Sequence, residues 1–171
     1  QPISGQLTAT DVDADDTLDF ALDVSVSGFS LTGADWSFDP SDPAYQGLAQ
    51  DEEQQITIDY SVIDSQGAED QESFIITVTG VNDDPEGDAD SYLTPIETEL
   101  VIDQANGVLN NDSDVDGDNL TAIIDSDVTE GNLTLNPDGS FSYTPAPFFT
   151  GIDTFTYFAN DGTTNSGAIT V

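Results

Sequence analysis

Ile56-Thr-Ile-Asp-Tyr-Ser-Val-Ile63 places Ile56, Ile58, Tyr60 and Val62 at alternate positions, with Thr57, Asp59 and Ser61 between them. A period of two sends one set of side chains to each face of a strand, so this run buries one face and wets the other. Similar short alternating runs, bounded by Gly, Asp, Asn and Pro, recur about every 8–12 residues along the chain. Nothing sustains an apolar period of 3.6. The sequence therefore predicts an all-β chain.

Working outward from that run, Leu7 to Thr10 and Leu18 to Val26 read as strands on either side of an acidic loop. Gly28 to Thr32 and Trp36 to Phe38 read as a hairpin, and Pro40 to Gln54 as an irregular connection. Ser73 to Gly80 closes the first half. Val81-Asn-Asp-Asp-Pro-Glu-Gly87 then breaks the pattern as a short acidic linker. Strands are expected over Ser91 to Leu93, Glu99 to Ile102, Leu120 to Ile124, Asn132 to Leu135, Ser140 to Thr144, Thr154 to Phe158 and Ala168 to Val171. Asn136-Pro-Asp-Gly139 between two of them is a turn signal, because Gly accepts the left-handed position. The expected organisation is a first module over 1–80, a linker over 81–87 and a second module over 88–171.

The two halves repeat one pattern. A constant offset pairs Asp11, Asp13, Asp15, Gly28 and Phe38 with Asp114, Asp116, Asp118, Gly131 and Phe141; a slightly shorter one pairs Tyr60 with Tyr157 and Asp64 with Asp161. Both halves are thus expected to share a fold.

The acidic positions of that repeat carry the chemistry. Asn111-Asp-Ser-Asp-Val-Asp-Gly-Asp-Asn-Leu120 sets Asp112, Asp114, Asp116 and Asp118 at alternate positions, with Gly117 supplying backbone freedom. The chain holds 27 Asp and 8 Glu against no Lys, Arg or His, a net charge of −35. Clustered carboxylates can then be offset only by solvent or by a bound cation. Oxygen-only donors suit calcium (Ca2+) better than a transition metal. An EF-hand is rejected, since no Glu closes the loop and no helical pattern flanks it.

The same composition excludes several classes. So negative a chain repels nucleic acid and anionic membrane. There is no Cys, hence no disulfide or thiolate chemistry, and no Lys for an isopeptide crosslink. No stretch is long and apolar enough to span a bilayer. Disorder is rejected because the acids are interleaved with Val, Ile, Phe and Tyr at strand spacing. An enzyme is not expected: without His, Cys, Lys or Arg only a carboxylate pair could act, and these acids sit in open loops rather than in an apolar cleft.

Residues 5–85, through Gly5-Gln-Leu-Thr-Ala-Thr-Asp-Val-Asp13, the hairpin with Trp36 and Ile76-Thr-Val-Thr-Gly-Val-Asn-Asp-Asp-Pro85, resemble a VCBS repeat. Residues 86–171 resemble the bacterial cadherin-like or Ig-like module of the same proteins. The motifs are Gly107-Val-Leu-Asn-Asn-Asp112, Asp138-Gly-Ser-Phe-Ser-Tyr-Thr-Pro145 and Gly151-Ile-Asp-Thr-Phe-Thr-Tyr157. The resemblance implies two tandem antiparallel β-sandwiches, stiffened by calcium, in giant bacterial surface proteins and secreted adhesins. It places the chain outside the cell or on its surface, among neighbouring repeats or subunits of the same protein.

In such a sandwich the loop after the second strand and the loop before the last lie at the end where the chain enters. Asp112, Asp114, Asp116, Asp118 and Asp161 are then expected to face Asn82, Asp83 and Asp84, with Asp90 an additional ligand candidate. Asp11, Asp13, Asp15 and Asp64 should form the matching site of the first module. Isolated acids such as Asp42, Asp103 and Asp127 are read as turn caps. The first module lacks the opening strand that residues 88–102 supply to the second, so that strand is expected from upstream sequence or from a neighbouring chain.

Trp36, Phe148 and Phe149 are candidates for a sugar-stacking platform, the basis of an alternative reading as a polysaccharide-binding module. Against it, Trp36 shares a strand face with Phe38, which points to core. Asn111, Asn119 and Asn132 each open an Asn-X-Ser/Thr sequon.

Overall fold

The computed structural model describes residues 1–12 and 16–171. The chain falls into two compact units, Gln1–Val81 and Asn82–Val171. Their elements are twelve strands and two single 3-10 turns among the described residues, with every strand pairing antiparallel.

In the first unit β1 (Ile3–Gln6), β4 (Asp35–Phe38) and β3 (Phe29–Thr32) form one three-stranded sheet, in the order β1-β4-β3. A second sheet runs β2 (Asp19–Leu22), β5 (Glu53–Ile63), β6 (Glu69–Thr79). The alternation of β5 holds through Asp59, with Ile56 and Ile58 buried and Thr57 and Asp59 exposed, and fails at Ser61, which is buried and donates to Asp23 Oδ1 at 2.5 Å. Phe38 from the first sheet and Ile56, Ile58 and Ile76 from the second close one buried cluster with Tyr45. Tyr45 reaches it from a 3-10 turn, Pro43–Tyr45, and donates its hydroxyl to the Ser27 carbonyl at 2.8 Å.

The second unit repeats this plan with β7 (Leu100–Ile102), β10 (Phe141–Pro145) and β9 (Gly131–Leu135) in one sheet. The other sheet is β12 (Ile169–Thr170), β11 (Thr156–Asn160) and β8 (Thr121–Ser126). Phe141 from one sheet meets Ala122, Tyr157, Ala159 and Ile169 from the other, with Val108 and Phe155 completing the core. The Asn136–Gly139 turn forms as expected. Gly139 takes φ 82°, and Asn136 and Ser140 close the hairpin through a 2.9 Å amide-to-carbonyl bond.

Three expectations shift. The opening strand lies at Ile3–Gln6 rather than Leu7–Thr10, because Gly5 leaves the space that the Trp36 ring fills; a Cβ there would stand 2.7 Å from the indole. Only Asp19–Leu22 of the expected Leu18–Val26 run pairs as strand. Ser91–Leu93 makes no ladder, and Leu93 is 97% exposed.

Asp153 locks the β9–β10 hairpin to the segment before β11. Its oxygens accept the Thr129 amide at 3.0 Å, the Glu130 amide at 2.9 Å and the Tyr143 hydroxyl at 3.0 Å. Burial works to raise its pKa, yet the Thr129 and Glu130 amides and the Tyr143 hydroxyl outweigh it and hold the carboxyl below the usual range. A depressed folded pKa stabilises above the unfolded value, about 3.9, and that contribution is lost as pH falls through the folded value. Asp153→Ala should lower second-unit stability by roughly 0.5–1.5 kcal/mol at neutral pH, since it removes the acceptor of two exposed amides and of the part-buried Tyr143 hydroxyl. The loss should shrink below about pH 4. NMR-detected unfolding of second-unit amides reads the effect, while fluorescence of Trp36, the sole Trp, should leave the first unit's transition unmoved.

Candidate metal centre

The loop between Asp112 and β8 is shaped by its own carboxylates. Asp114 Oδ1 accepts the Asp116 amide at 2.8 Å and the Asp118 amide at 3.4 Å, folding the chain back on itself. Gly117, at φ 78°, completes the reversal that a side chain would resist. This spends one oxygen of Asp114. Its Oδ2 is buried with no hydrogen-bond partner. Asp116 is divided the same way: Oδ2 accepts the Asp83 amide at 2.9 Å, and Oδ1 is buried without a partner.

Carboxylate oxygens of Asp114, Asp116 and Asp118 lie within 4.8 Å of one another. At that separation each charge pair repels by roughly 3–4 kcal/mol at an effective dielectric near 20. Two buried anionic oxygens with no donor are costly to keep, and no residue of this chain can supply a cation. The group fits a hard divalent cation: all-oxygen donors, flexible in number, with backbone carbonyls at hand.

Of the other expected ligands, Asn82 and Asp83 belong to the second unit and bond within it. The Asn82 amide donates to Asp161 Oδ2 at 2.8 Å and to Thr164 Oγ1 at 3.2 Å. Asp161 also accepts the Thr163 and Thr164 amides at 2.5 and 2.6 Å. The Asn82 amide, then the Thr164 amide, hold its carboxyl well below the usual range. Asp161 is thus tied to Asn82 rather than gathered with Asp114. Asp84 is exposed and stands outside the cluster.

Asp112 also turns away from its neighbours in sequence. Its Oδ1 accepts the Asp88 amide at 3.0 Å and its Oδ2 accepts the Tyr157 hydroxyl at 2.8 Å, beside the Val108 carbonyl that the same hydroxyl reaches at 2.6 Å. Asp90 joins this inner group, with Oδ2 buried and unpartnered. Strand spacing would set Asp112, Asp114 and Asp116 on one face; the turn closed by Asp114 Oδ1 on the Asp116 amide breaks that order, so Asp112 meets Tyr157 while Asp114 and Asp116 line the loop.

In the first unit Asp11, Asp16 and Asp64 come together within the same 4.8 Å. The expected Asp13 and Asp15 lie outside the described residues, and Asp16 is not among the expected ligands. Its Oδ1 accepts the Ser65 amide at 3.1 Å and, more closely, the Ser65 hydroxyl, while Oδ2 is buried without a partner. The repeat offset hid it, for Asp16 aligns with Asn119; Ser65, next to Asp64, was the available clue. Asp42, Asp103 and Asp127 cap the amides of Ala44, Asn106 and Val128 as read.

The aromatic candidates divide. Trp36 is half-buried, stacked on Phe29 at 6.0 Å and tilted against Phe74 at 5.4 Å. Phe149 is half-buried, whereas Phe148 is 85% exposed. Phe148 occupies the third place of the Ala146–Phe149 turn at φ 65°, where Gly is usual, at a cost of roughly 1–2 kcal/mol.

The chain is therefore an all-β protein of small antiparallel sheets carrying two acidic clusters able to hold a metal ion. Residues 82–171 match the family model of the bacterial cadherin-like domain, more than half of the chain, and the chain belongs to that family. Among solved structures it is similar to the endo-fucoidan hydrolase MfFcnA4 of glycoside hydrolase family 107, at 16% identity over 99% of this chain and 26% of that one, with a TM-score of 0.39. It is also similar to Bacteroides ovatus SGBP-B of the mixed-linkage glucan utilization locus, solved with a mixed-linkage heptasaccharide, at 11% identity over 99% and 40%, TM-score 0.30. The chain spans about a quarter to two fifths of the length of these chains. A search of curated proteins finds no match. Among the described residues no helix is long and apolar enough to cross a membrane.

Asp90 gives this centre a pH signature. Burial, then the neighbouring Asp112, raises its carboxyl to about 6, above the unfolded value near 3.9. The raised value means the folded state favours the proton, so the penalty is absent below about pH 4 and complete above about pH 6. In chelator, Asp90→Asn should raise the melting temperature at pH 7 and leave it nearly unchanged at pH 4. A lower melting temperature at pH 7 would contradict this origin of the shift.

Proposed function

We propose that the chain is a calcium-stabilised structural spacer of a long extracellular bacterial adhesin or surface filament. It would hold other domains away from the cell for surface attachment or biofilm contact. In this reading the units are tandem Ig-like sandwiches: a VCBS-like one over 1–80, the acidic linker 81–87, and the cadherin-like one over 88–171. Their partners would be neighbouring repeats or subunits, and catalysis has no part.

The observation that carries the reading is the paired orphan oxygens, Asp114 Oδ2 and Asp116 Oδ1, in a chain without a single cationic side chain. Asp114, Asp116 and Asp118 would hold the ion. The Asp83 amide, already on Asp116, would fix the entry of the module to the same loop. Calcium would supply the missing counter-charge there, so metal and fold would be linked.

Calcium added to chelated protein should raise the second unit's stability by about 2.7 kcal/mol at a hundredfold excess over Kd. Asp114→Asn with Asp116→Asn should reverse the pattern, melting higher than wild type in chelator and gaining little from calcium. Calcium-independent melting of the wild type would defeat the proposal.

A further inference from the structure

A groove of about 320 Å³ opens in the second unit between the segment before β7 and the chain following β10, and it shares no residue with the acidic clusters. Its mouth is apolar. Leu93, Ile96 and Ile152 line it and are 97%, 59% and 90% exposed, and Phe148 stands out from the adjoining turn at 85%. Four large apolar side chains gathered in water around one cleft mark an interaction surface rather than scattered exposure.

The polar groups of the cleft choose the kind of occupant. The Tyr92 hydroxyl donates to the Asn106 carbonyl at 2.9 Å and the Thr94 hydroxyl to the Thr98 carbonyl at 2.9 Å. Tyr143 donates to Asp153, whose oxygens also accept the Thr129 and Glu130 amides. These groups are committed inside the unit, so a saccharide's hydroxyls would find few of them to exchange bonds with. An apolar side chain loses nothing there.

Charge then restricts the partner further. Glu97 and Glu99 lie in the lining segment, Asp127 precedes the lining Val128, and Glu130, whose main-chain carbonyl accepts from the lining Tyr143 at 3.3 Å, follows close by. A free second copy of a chain at −35, held by neither the covalent link nor the shared calcium that would join neighbouring repeats, would be repelled, and an anionic lipid surface equally so. Lys or Arg flanking apolar residues would be drawn in. We propose that this groove docks a segment of a partner protein that presents apolar side chains flanked by basic ones.

The test uses the full chain with calcium present and a short synthetic peptide of alternating Leu and Lys, followed by NMR. Two analogues replace Leu by Ser, or Lys by Glu. The expected result is saturable shifts at residues 92–96 and 148–153 with the Leu-Lys peptide alone. Leu93→Asp and Ile152→Asp, at sites exposed enough to spare the fold, should each weaken binding about tenfold. Both add negative charge, so simple attraction to Lys would instead strengthen. Equal binding by the Ser analogue, shifts confined to the aspartate loops, or groove shifts produced by a glucan oligosaccharide and not by the peptide would overturn the proposal.

Discussion

Carboxylate charge without internal compensation is the constraint that shapes this chain. With 35 acids and no base, each carboxylate must spend its oxygens on amides, hydroxyls, solvent or a metal. Several do so locally: Asp64 binds the Gln66 and Ala68 amides, Asp103 the Asn106 amide, and Asp138 the Ser140 amide and hydroxyl. These bonds turn loops sharply within a few residues. The exceptions are few among the described residues. Asp16, Asp90, Asp114 and Asp116 each leave one buried oxygen unmatched, and three of the four stand in the acidic clusters.

The inner pair differs from the loop group in kind. Asp90 and Asp112 are coupled to a fully buried Tyr157 whose hydroxyl also holds the Val108 carbonyl, so their environment is set by core packing. Asp114, Asp116 and Asp118 are set by loop turning. An extended segment would keep Asp112 and Asp114 on one face; the turn that Asp114 closes on the Asp116 and Asp118 amides is what separates the two groups.

What could be read in advance tracks where local rules act unopposed. The run at Ile56–Ile63 and the turn at Asn136–Gly139 combine spacing with residue chemistry; the turn forms as expected, and the run forms a strand whose alternation holds until Ser61 is buried. The strand at Ile3–Gln6 offers no alternation to read, because its packing is supplied by an indole from β4 against a glycine. Ser91–Leu93 offers a pattern without a partner strand. For the site, alternate aspartates located the cluster of Asp114, Asp116 and Asp118. Spacing alone gave no sign that Asp112 turns inward to Tyr157, or that Asp16 joins Asp11 and Asp64, since both depend on tertiary neighbours.

If the orphan oxygens of the Asp114–Asp118 loop meet a cation, anomalous diffraction from crystals grown in calcium will show it at the atoms concerned. The expected result is a peak in contact with Asp114 Oδ2 and Asp116 Oδ1, with Asp118 among its ligands. Well-ordered waters on those two oxygens and no anomalous peak at saturating calcium would contradict it.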